Sequence, residues 1–238
     1  MEKDKIKFHR LLNKKSPIVK ICGNKIFSES IKVASFSPDL MGWIFSPYSP
    51  RQISIEKAPS IIKNIQKEYP HIFHVGVFSG NPIYEILQIV IILKEKSNGL
   101  DLIQVTENSG FIQRLRDVLL KKEIELPVIP VIRPQEPITE EMFFPTAPSL
   151  FWIIDRFDPQ KKGGTGKTIP TDFFKNKVNK PFLIAGGINP DNVIDFLKIS
   201  KAKGVDISSG LEDSPGIKNE GKLIKLFEKI KNYELSYS

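Results

Sequence analysis

Short β-branched apolar runs recur along the whole chain, separated by longer segments whose apolar residues fall at helical spacing. The runs lie at 18–21, 42–45, 73–78, 100–104, 128–132, 151–154, 182–185 and 205–207. Most are apolar at successive rather than alternate positions, as strands buried on both faces must be. Such strands belong to parallel sheets, where each connection crosses over through a segment long enough to hold a helix. The gaps supply those segments. Within 55–67, Ile55, Ala58, Ile61, Ile62 and Ile65 form a helical stripe, and 190–199 and 218–232 behave similarly. Asn189 before Pro190 offers an N-cap with proline at the first helical position. The stretch 83–93, broken only by Glu85 and Gln88, reads as a buried helix. Eight strand–helix units in 238 residues favour a single-domain (β/α)8 TIM barrel over an open doubly wound sheet.

Composition narrows the class further. A hydrophobic content of 40% suffices for a sizeable core. No run reaches the ~18–20 apolar residues of a membrane span, so no membrane partner is expected. Residues 1–16 read as a polar N-terminal extension of a catalytic barrel at 17–238. They contain no apolar core of a secretory signal, which points to the cytoplasm. The single cysteine excludes an intramolecular disulfide and a cysteine-rich metal site. A net charge of +8 invites a nucleic-acid reading. Its lysines, however, are scattered among acids, without a long basic run or interleaved aromatics, so no nucleic-acid partner is expected. The charge suits an anionic small molecule drawn into a cleft. Nothing separates a monomer from a homodimer.

The stretch KKGGTGKT at 161–168 resembles a P-loop but lacks its first glycine. That motif needs glycine five residues before the Gly-Lys-Thr glycine, and Lys161 stands there. Pro170 also follows where a helix should begin. The stretch is better read as the loop after strand six. There Gly164 and its neighbours offer donors to a substrate, the lysines attract a phosphate, and the loop could close over the site.

In a barrel the chemistry sits at the C-terminal ends of the strands. Strand one ends Lys20-Ile21-Cys22-Gly23, and the loop after strand two reads Ser46-Pro47-Tyr48-Ser49-Pro50-Arg51. Strand six ends at Asp155, strand seven at Ala185-Gly186-Gly187, and strand eight at Ile207-Ser208-Ser209-Gly210. Glycines after strands seven and eight are where barrels expose backbone N–H groups to a phosphate, so Gly186, Gly187, Ser209 and Gly210 are candidate phosphate contacts. The alternative is that they merely shape tight strand-to-helix turns.

Taken together, KICG, FSPYSPRQIS, HVGVF, the Asp155…GGTGKT pairing, AGGINPDNV and GVDISSGLEDSPGIK resemble the phosphoribosylanthranilate isomerase family of tryptophan biosynthesis. The resemblance runs from about Val19 to Phe227 in the family's order. It implies a (β/α)8 barrel that converts N-(5-phosphoribosyl)anthranilate to its 1-deoxyribulose isomer by an Amadori rearrangement, with no metal or other cofactor. An acid protonates the ribose ring oxygen and opens the ring to a Schiff base. A base then removes the C2 proton, and the enolamine tautomerises to the ketone. The family's base maps to Cys22, its acid to Asp155, and the arginine that meets the anthranilate carboxylate to Arg51.

Each residue has a plainer alternative. A lone cysteine is commonly a small buried apolar group, and an ordinary thiol yields little thiolate at neutral pH. Lys20 is read as facing the opposite side of the strand from Cys22, so it is not assigned as the group that perturbs the thiol. Asp155 could cap a helix or pair with Arg156. An acid there needs its pKa raised by burial or by a nearby negative charge, which Asp206 could supply across the mouth. Asp206 could equally orient a loop. Arg51 could be an unpartnered surface arginine.

Three departures from the family pattern stand out. After the motif cysteine the family often has Gly-Leu/Ile-Thr/Lys with a following arginine, whereas Asn24-Lys25-Ile26 stands here. Strand four in the family ends Gln-Leu-His-Gly, whereas Gln104-Val105-Thr106-Glu107 stands here, so Thr106 replaces the histidine. The loop 134–148 carries no family signature. A neighbouring lyase or synthase barrel would want a lysine–glutamate pair at its strand ends, and none is evident. A binding protein that has kept the barrel and lost catalysis is the remaining alternative.

Overall fold

The computed structural model describes residues 8–146, 149–156 and 168–235. Its eight strands are β1 (Ile18–Cys22), β2 (Leu40–Ile44), β3 (Phe73–Phe78), β4 (Leu102–Val105), β5 (Val128–Ile132), β6 (Trp152–Ile154), β7 (Phe182–Ile184) and β8 (Gly204–Ile207). They are parallel and close in sequence order, β8 pairing with β1. The TIM barrel expected from the apolar runs is therefore the fold.

The uniform hydrophobicity of the strands reflects two separate cores. Alternate residues face inward and outward. Val19 and Ile21 point out and pack with helix residues such as Val33 and Ala34. Ile18 and Cys22 point in and pack with Leu40, Phe73, Leu102 and Ile129. The N-terminal end of this inner core is closed by a helical turn at residues 8–12. Its Phe8 and Leu11 are buried, and Phe8 stacks on Phe73 with ring centroids 5.2 Å apart. Part of the segment expected to be a polar extension is thus a plug for the barrel's lower end.

The α-helices are α1 (Phe27–Ser35), α2 (Ala58–Glu68), α3 (Ile83–Lys96), α4 (Ser109–Lys121), α5 (Val193–Ser200) and α6 (Glu220–Leu235). The expected eight strand–helix repeats are incomplete among the described residues. A 3-10 turn at Glu140–Thr146 follows β5, and another at Thr171–Phe174 follows β6. Prolines at 134, 137, 145 and 170 remove N–H donors where an α-helix would run. The first of these turns still covers the sheet, because Phe143 packs edge-on against Trp152 with centroids 5.3 Å apart.

Two helix starts also lie further on than the sequence pattern suggested. Helix α5 begins at Val193, so Asn189 is not its N-cap. The Asn189 Oδ1 instead accepts from the N–H groups of Asp191 and Asn192, at 2.7 and 3.2 Å, and holds the chain in a turn before the helix. Helix α6 begins at Glu220 because Lys218 belongs to a small hairpin inserted after β8. That hairpin pairs β9 (Glu212–Ser214) with β10 (Ile217–Lys218) and folds back toward the top of β1.

Candidate active site

A cavity of about 850 Å3 opens at the C-terminal ends of the strands, bordered by Cys22, Arg51, Thr106, Arg133, Asp155 and Gly187. Strand direction alone accounts for this, since each parallel strand ends on the same rim and every second side chain faces inward.

Cys22 is the last residue of β1 and is buried against the inner core. Its neighbour in the barrel interior is Lys20, which corrects the expectation that the two face opposite sides. Residues two apart on a strand share a face, and the Lys20 ammonium lies beside the thiol while donating to Asp206 Oδ1 at 2.8 Å. The β1–β8 register sets Lys20 directly beside Asp206. Gly42, on the adjacent β2, provides the space. A Cβ there would lie 2.6 Å from the Cys22 sulfur and 3.1 Å from the Lys20 nitrogen. Burial pushes the thiol pKa up from its ordinary value, and Asp206 adds to the rise, while the Lys20 and Lys218 ammoniums oppose it. Burial also works against the charge on Lys20, but Asp206 and Cys22 outweigh it and leave that pKa raised.

A second buried cluster lies above the thiol. Lys218 donates to the carbonyl of Cys22 and to Glu212 Oε1, each at 2.7 Å. Glu212 Oε2 accepts from Arg51 Nε at 2.8 Å and from its Nη2 at 2.7 Å. Arg51 therefore borders the cavity as expected, yet two of its nitrogens already meet an internal carboxylate. It is not an unpartnered surface arginine, for its side chain is only 12% exposed. Burial works to raise the Glu212 pKa, but Arg51 and Lys218 outweigh it and hold the carboxyl below the ordinary range.

Asp155 follows β6 across the mouth. Its Oδ1 accepts from the N–H of Arg156 at 2.9 Å, and its Oδ2 from Arg133 Nε and Nη2 at 3.3 and 3.2 Å. Burial raises its pKa, the Arg133 guanidinium pulls it back, and Asp206 raises it again; the net direction is upward. The side chain of Arg156 donates instead to the carbonyl of Thr168, at 3.1 Å. Arg133 is a residue the sequence reading missed. It stands one residue past β5, at a strand end like Asp155, and that position was its only signal.

The family model of N-(5'-phosphoribosyl)anthranilate (PRA) isomerase matches residues 19–229. The chain belongs to the phosphoribosylanthranilate isomerase family. A curated N-(5'-phosphoribosyl)anthranilate isomerase of Nostoc punctiforme is 32% identical over 91% of this chain and 99% of its own. The crystal structure of phosphoribosyl anthranilate isomerase from Thermus thermophilus superposes with a TM-score of 0.75 at 25% identity, covering 90% of this chain and 98% of that one. The Pyrococcus furiosus N-(5'-phosphoribosyl)anthranilate isomerase does so with a TM-score of 0.67 at 26% identity, covering 91% and 99%.

The glycine turns occupy the opposite wall from Thr106. Gly186 and Gly187 have φ of 78° and 70°, a left-handed pair that only glycine adopts without strain. Asn192 locks this turn by donating from Nδ2 to the Gly187 carbonyl at 3.0 Å. A Cβ on Gly186 would also press 3.0 Å from Asp155 Oδ1, so this glycine serves the carboxylate as well as the turn. Ser209 borders the cavity. Gly210 does not; it lies over the Ile188 carbonyl, where a side chain would clash. Gly164 and the rest of 157–167 lie outside the described residues. Beyond them, the described residues 168–170 are not helical and the short 3-10 turn follows.

Thr106 borders the cavity at the end of β4 and donates to Ser79 Oγ at 2.7 Å, tying the ends of β3 and β4 together. Two further polar groups on the cavity wall, Gln104 Oε1 and Ser208 Oγ, have no hydrogen-bond partner among the described residues. No helix among the described residues is long and apolar enough to cross a membrane.

Proposed function

We propose that this chain performs the isomerisation of N-(5-phosphoribosyl)anthranilate with Cys22 as the base and Asp155 as the acid, in the cytoplasm as a step of tryptophan biosynthesis. The observation that carries the assignment is their placement: a thiol beside a buried ammonium and a carboxyl with a raised pKa border one cavity from different strands. Asp155 gives its proton to the ring oxygen as the C1–O bond breaks, and the nitrogen lone pair forms the Schiff base. Cys22 removes the C2 proton in its thiolate form, which Lys20 favours against the burial that raises the thiol pKa. The released electrons make the enolamine and neutralise the nitrogen; C1 then takes a proton back from the Cys22 thiol as the enol hydroxyl returns one to Asp155, giving the ketone and restoring both side chains. No proton transfer needs a group beyond these two side chains.

The phosphate is assigned to the turn of Gly186 and Gly187 together with the N–H of Ser209, Gly210 serving only to shape that last turn, and Gly164 from the loop after β6 is a further candidate donor. The substrate is a phosphorylated small molecule, and nucleic acid and membrane have no part in the reading. The protein would act as a monomer or a homodimer. Thr106 favours one competing reading, a barrel that binds the phosphorylated ligand with altered or lost catalysis. Loss of substrate fluorescence on adding the wild-type protein decides between them. No turnover with retained binding of a product analogue would establish the altered barrel, and turnover undiminished in both Cys22→Ser and Asp155→Asn would sink the acid–base roles.

A further inference from the structure

Two guanidiniums face the cavity from opposite sides, and their partners differ. Arg51 is clamped on Glu212 at 2.7–2.8 Å, the ordinary length of a charge-assisted bond. Both members of that pair are nearly inaccessible, with side chains 12% and 3% exposed. Glu212 is in turn held by Lys218. Arg133 approaches a single oxygen of Asp155 at 3.2 and 3.3 Å, beyond that ordinary length, and its side chain is 25% exposed. Arg133 has no other hydrogen-bond acceptor among the described residues. Nη1, the one nitrogen not on Asp155, thus has no partner among the described residues, and the two existing bonds are long ones. The other groups on Asp155 are the Arg156 N–H on Oδ1 and the charge of Asp206, which is itself bound to Lys20.

We propose that Arg133 is a second contact for the ring carboxylate of the substrate, and that this carboxylate draws the guanidinium off Asp155 as the substrate binds. The inference rests on the isomerase reading above and assigns to the β5 end a role in recognising the aminobenzoate half. The exchange has a chemical consequence. In the free site Arg133 favours the ionised form of Asp155, which cannot donate a proton. Once the substrate's carboxylate replaces Asp155 on the guanidinium, Asp155 takes a proton from solvent and holds it beside the ring oxygen. A ligand with the carboxylate thereby arms the acid, and one without it does not.

The test is calorimetry with two non-reacting ligands at neutral pH. One is the reduced form of the product, and the other is the same compound with an unsubstituted phenyl ring. Running each in buffers of different ionisation enthalpy gives the protons taken up on binding. Wild type is expected to prefer the carboxylated ligand by about 10- to 100-fold, the range of a charge-assisted contact. It should also take up more protons with that ligand than with the other. In Arg133→Met and Arg133→Gln the preference should fall, Arg51 keeping the remainder, and the extra proton uptake should shrink toward none, with inorganic phosphate affinity unchanged as a check on the fold. Arg133→Lys should keep part of the preference. Full preference and full proton uptake in both Arg133 variants, with the preference lost only in Arg51→Met, would overturn the inference and leave the isomerase reading standing. A wild type that binds neither ligand and turns over no substrate would overturn the reading and this inference together.

Discussion

The two sides of the cavity are built to different standards. On the β1–β8 side, Cys22, Lys20 and Asp206 form a buried chain, and Glu212, Lys218 and Arg51 form another above it. Their ionic contacts measure 2.7–2.8 Å, and Lys20 and Lys218 are as buried as any apolar residue of the core. On the β5–β6 side, Asp155 and Arg133 are in reach of solvent and meet at 3.2 Å. The difference follows from the two tasks. A thiolate inside a barrel needs a fixed counter-charge, because water cannot solvate it there. An acid must instead begin the cycle protonated, which a tight ion pair with a guanidinium would prevent. Cys22 is held rigidly, and Asp155 is tethered loosely.

The largest effects should come from deleting the two groups proposed to transfer protons. Cys22→Ala and Asp155→Asn should each lower kcat by about 10²–10⁴-fold, the usual contribution of a positioned acid or base. Steady-state fluorescence assays with circular dichroism as a fold control provide the measurement. A loss of less than about tenfold in either variant would remove that side of the comparison.

Stability separates the sides next. Lys20→Met strands the Asp206 carboxylate in the interior and should cost about 3–5 kcal/mol in urea unfolding. The double variant Lys20→Met/Asp206→Leu should recover much of it, since a well-packed apolar pair replaces a buried ionic one at little cost. Arg133→Met breaks a partly solvated pair and should cost no more than about 1 kcal/mol. Equal losses for Lys20→Met and Arg133→Met would mean that the sides do not differ in the way their burial implies.

How much of this could be read in the sequence depends on the range of each interaction. The strands were legible because burial on both faces writes itself into consecutive residues. Cys22 and Asp155 were legible because a strand end is a local feature and their motifs are local too. Lys20 could have been placed correctly from period two alone. The Lys20–Asp206 pair, 186 positions apart, depends on how the barrel closes β8 onto β1, which no local pattern states. The Arg51–Glu212–Lys218 cluster depends likewise on a short hairpin folding back over β1, a geometry hidden inside a stretch that reads as a loop. Arg133 was hidden for another reason: it opens the proline-rich segment where helical periodicity fails, so attention to periodicity passes over it.

Gly42→Ala probes the rigid side at smaller amplitude. Its added methyl would meet the Cys22 sulfur and the Lys20 nitrogen at once. Overpacking of this kind costs about 1–3 kcal/mol, and displacing the thiol should reduce kcat while leaving inorganic phosphate affinity intact, because the glycine turns lie elsewhere. An unchanged kcat would show that the thiol's position is less constrained than its packing suggests.

The smallest effect concerns the acid side and runs opposite to activity. The Asp155 carboxyl has a raised pKa in the folded protein, so the native state binds its proton more tightly than the unfolded chain does. Its ionisation therefore destabilises the fold. The penalty is absent below the unfolded aspartate value of about 3.9, grows as pH rises toward the folded pKa, and is constant above it. Asp155→Asn removes the ionisable group while keeping a polar side chain of similar shape. The inactive variant should consequently unfold at a higher urea concentration than wild type at neutral pH, and its advantage should fade as the solution is acidified. Arg133 sets the size of the gain, because its guanidinium already offsets part of the penalty in wild type. Repeating Asp155→Asn in an Arg133→Met background should widen the stability gap between the aspartate and asparagine forms. A gap that narrows instead would mean that the guanidinium does not offset the charge of Asp155, and the loosely tethered acid would have to be described without it.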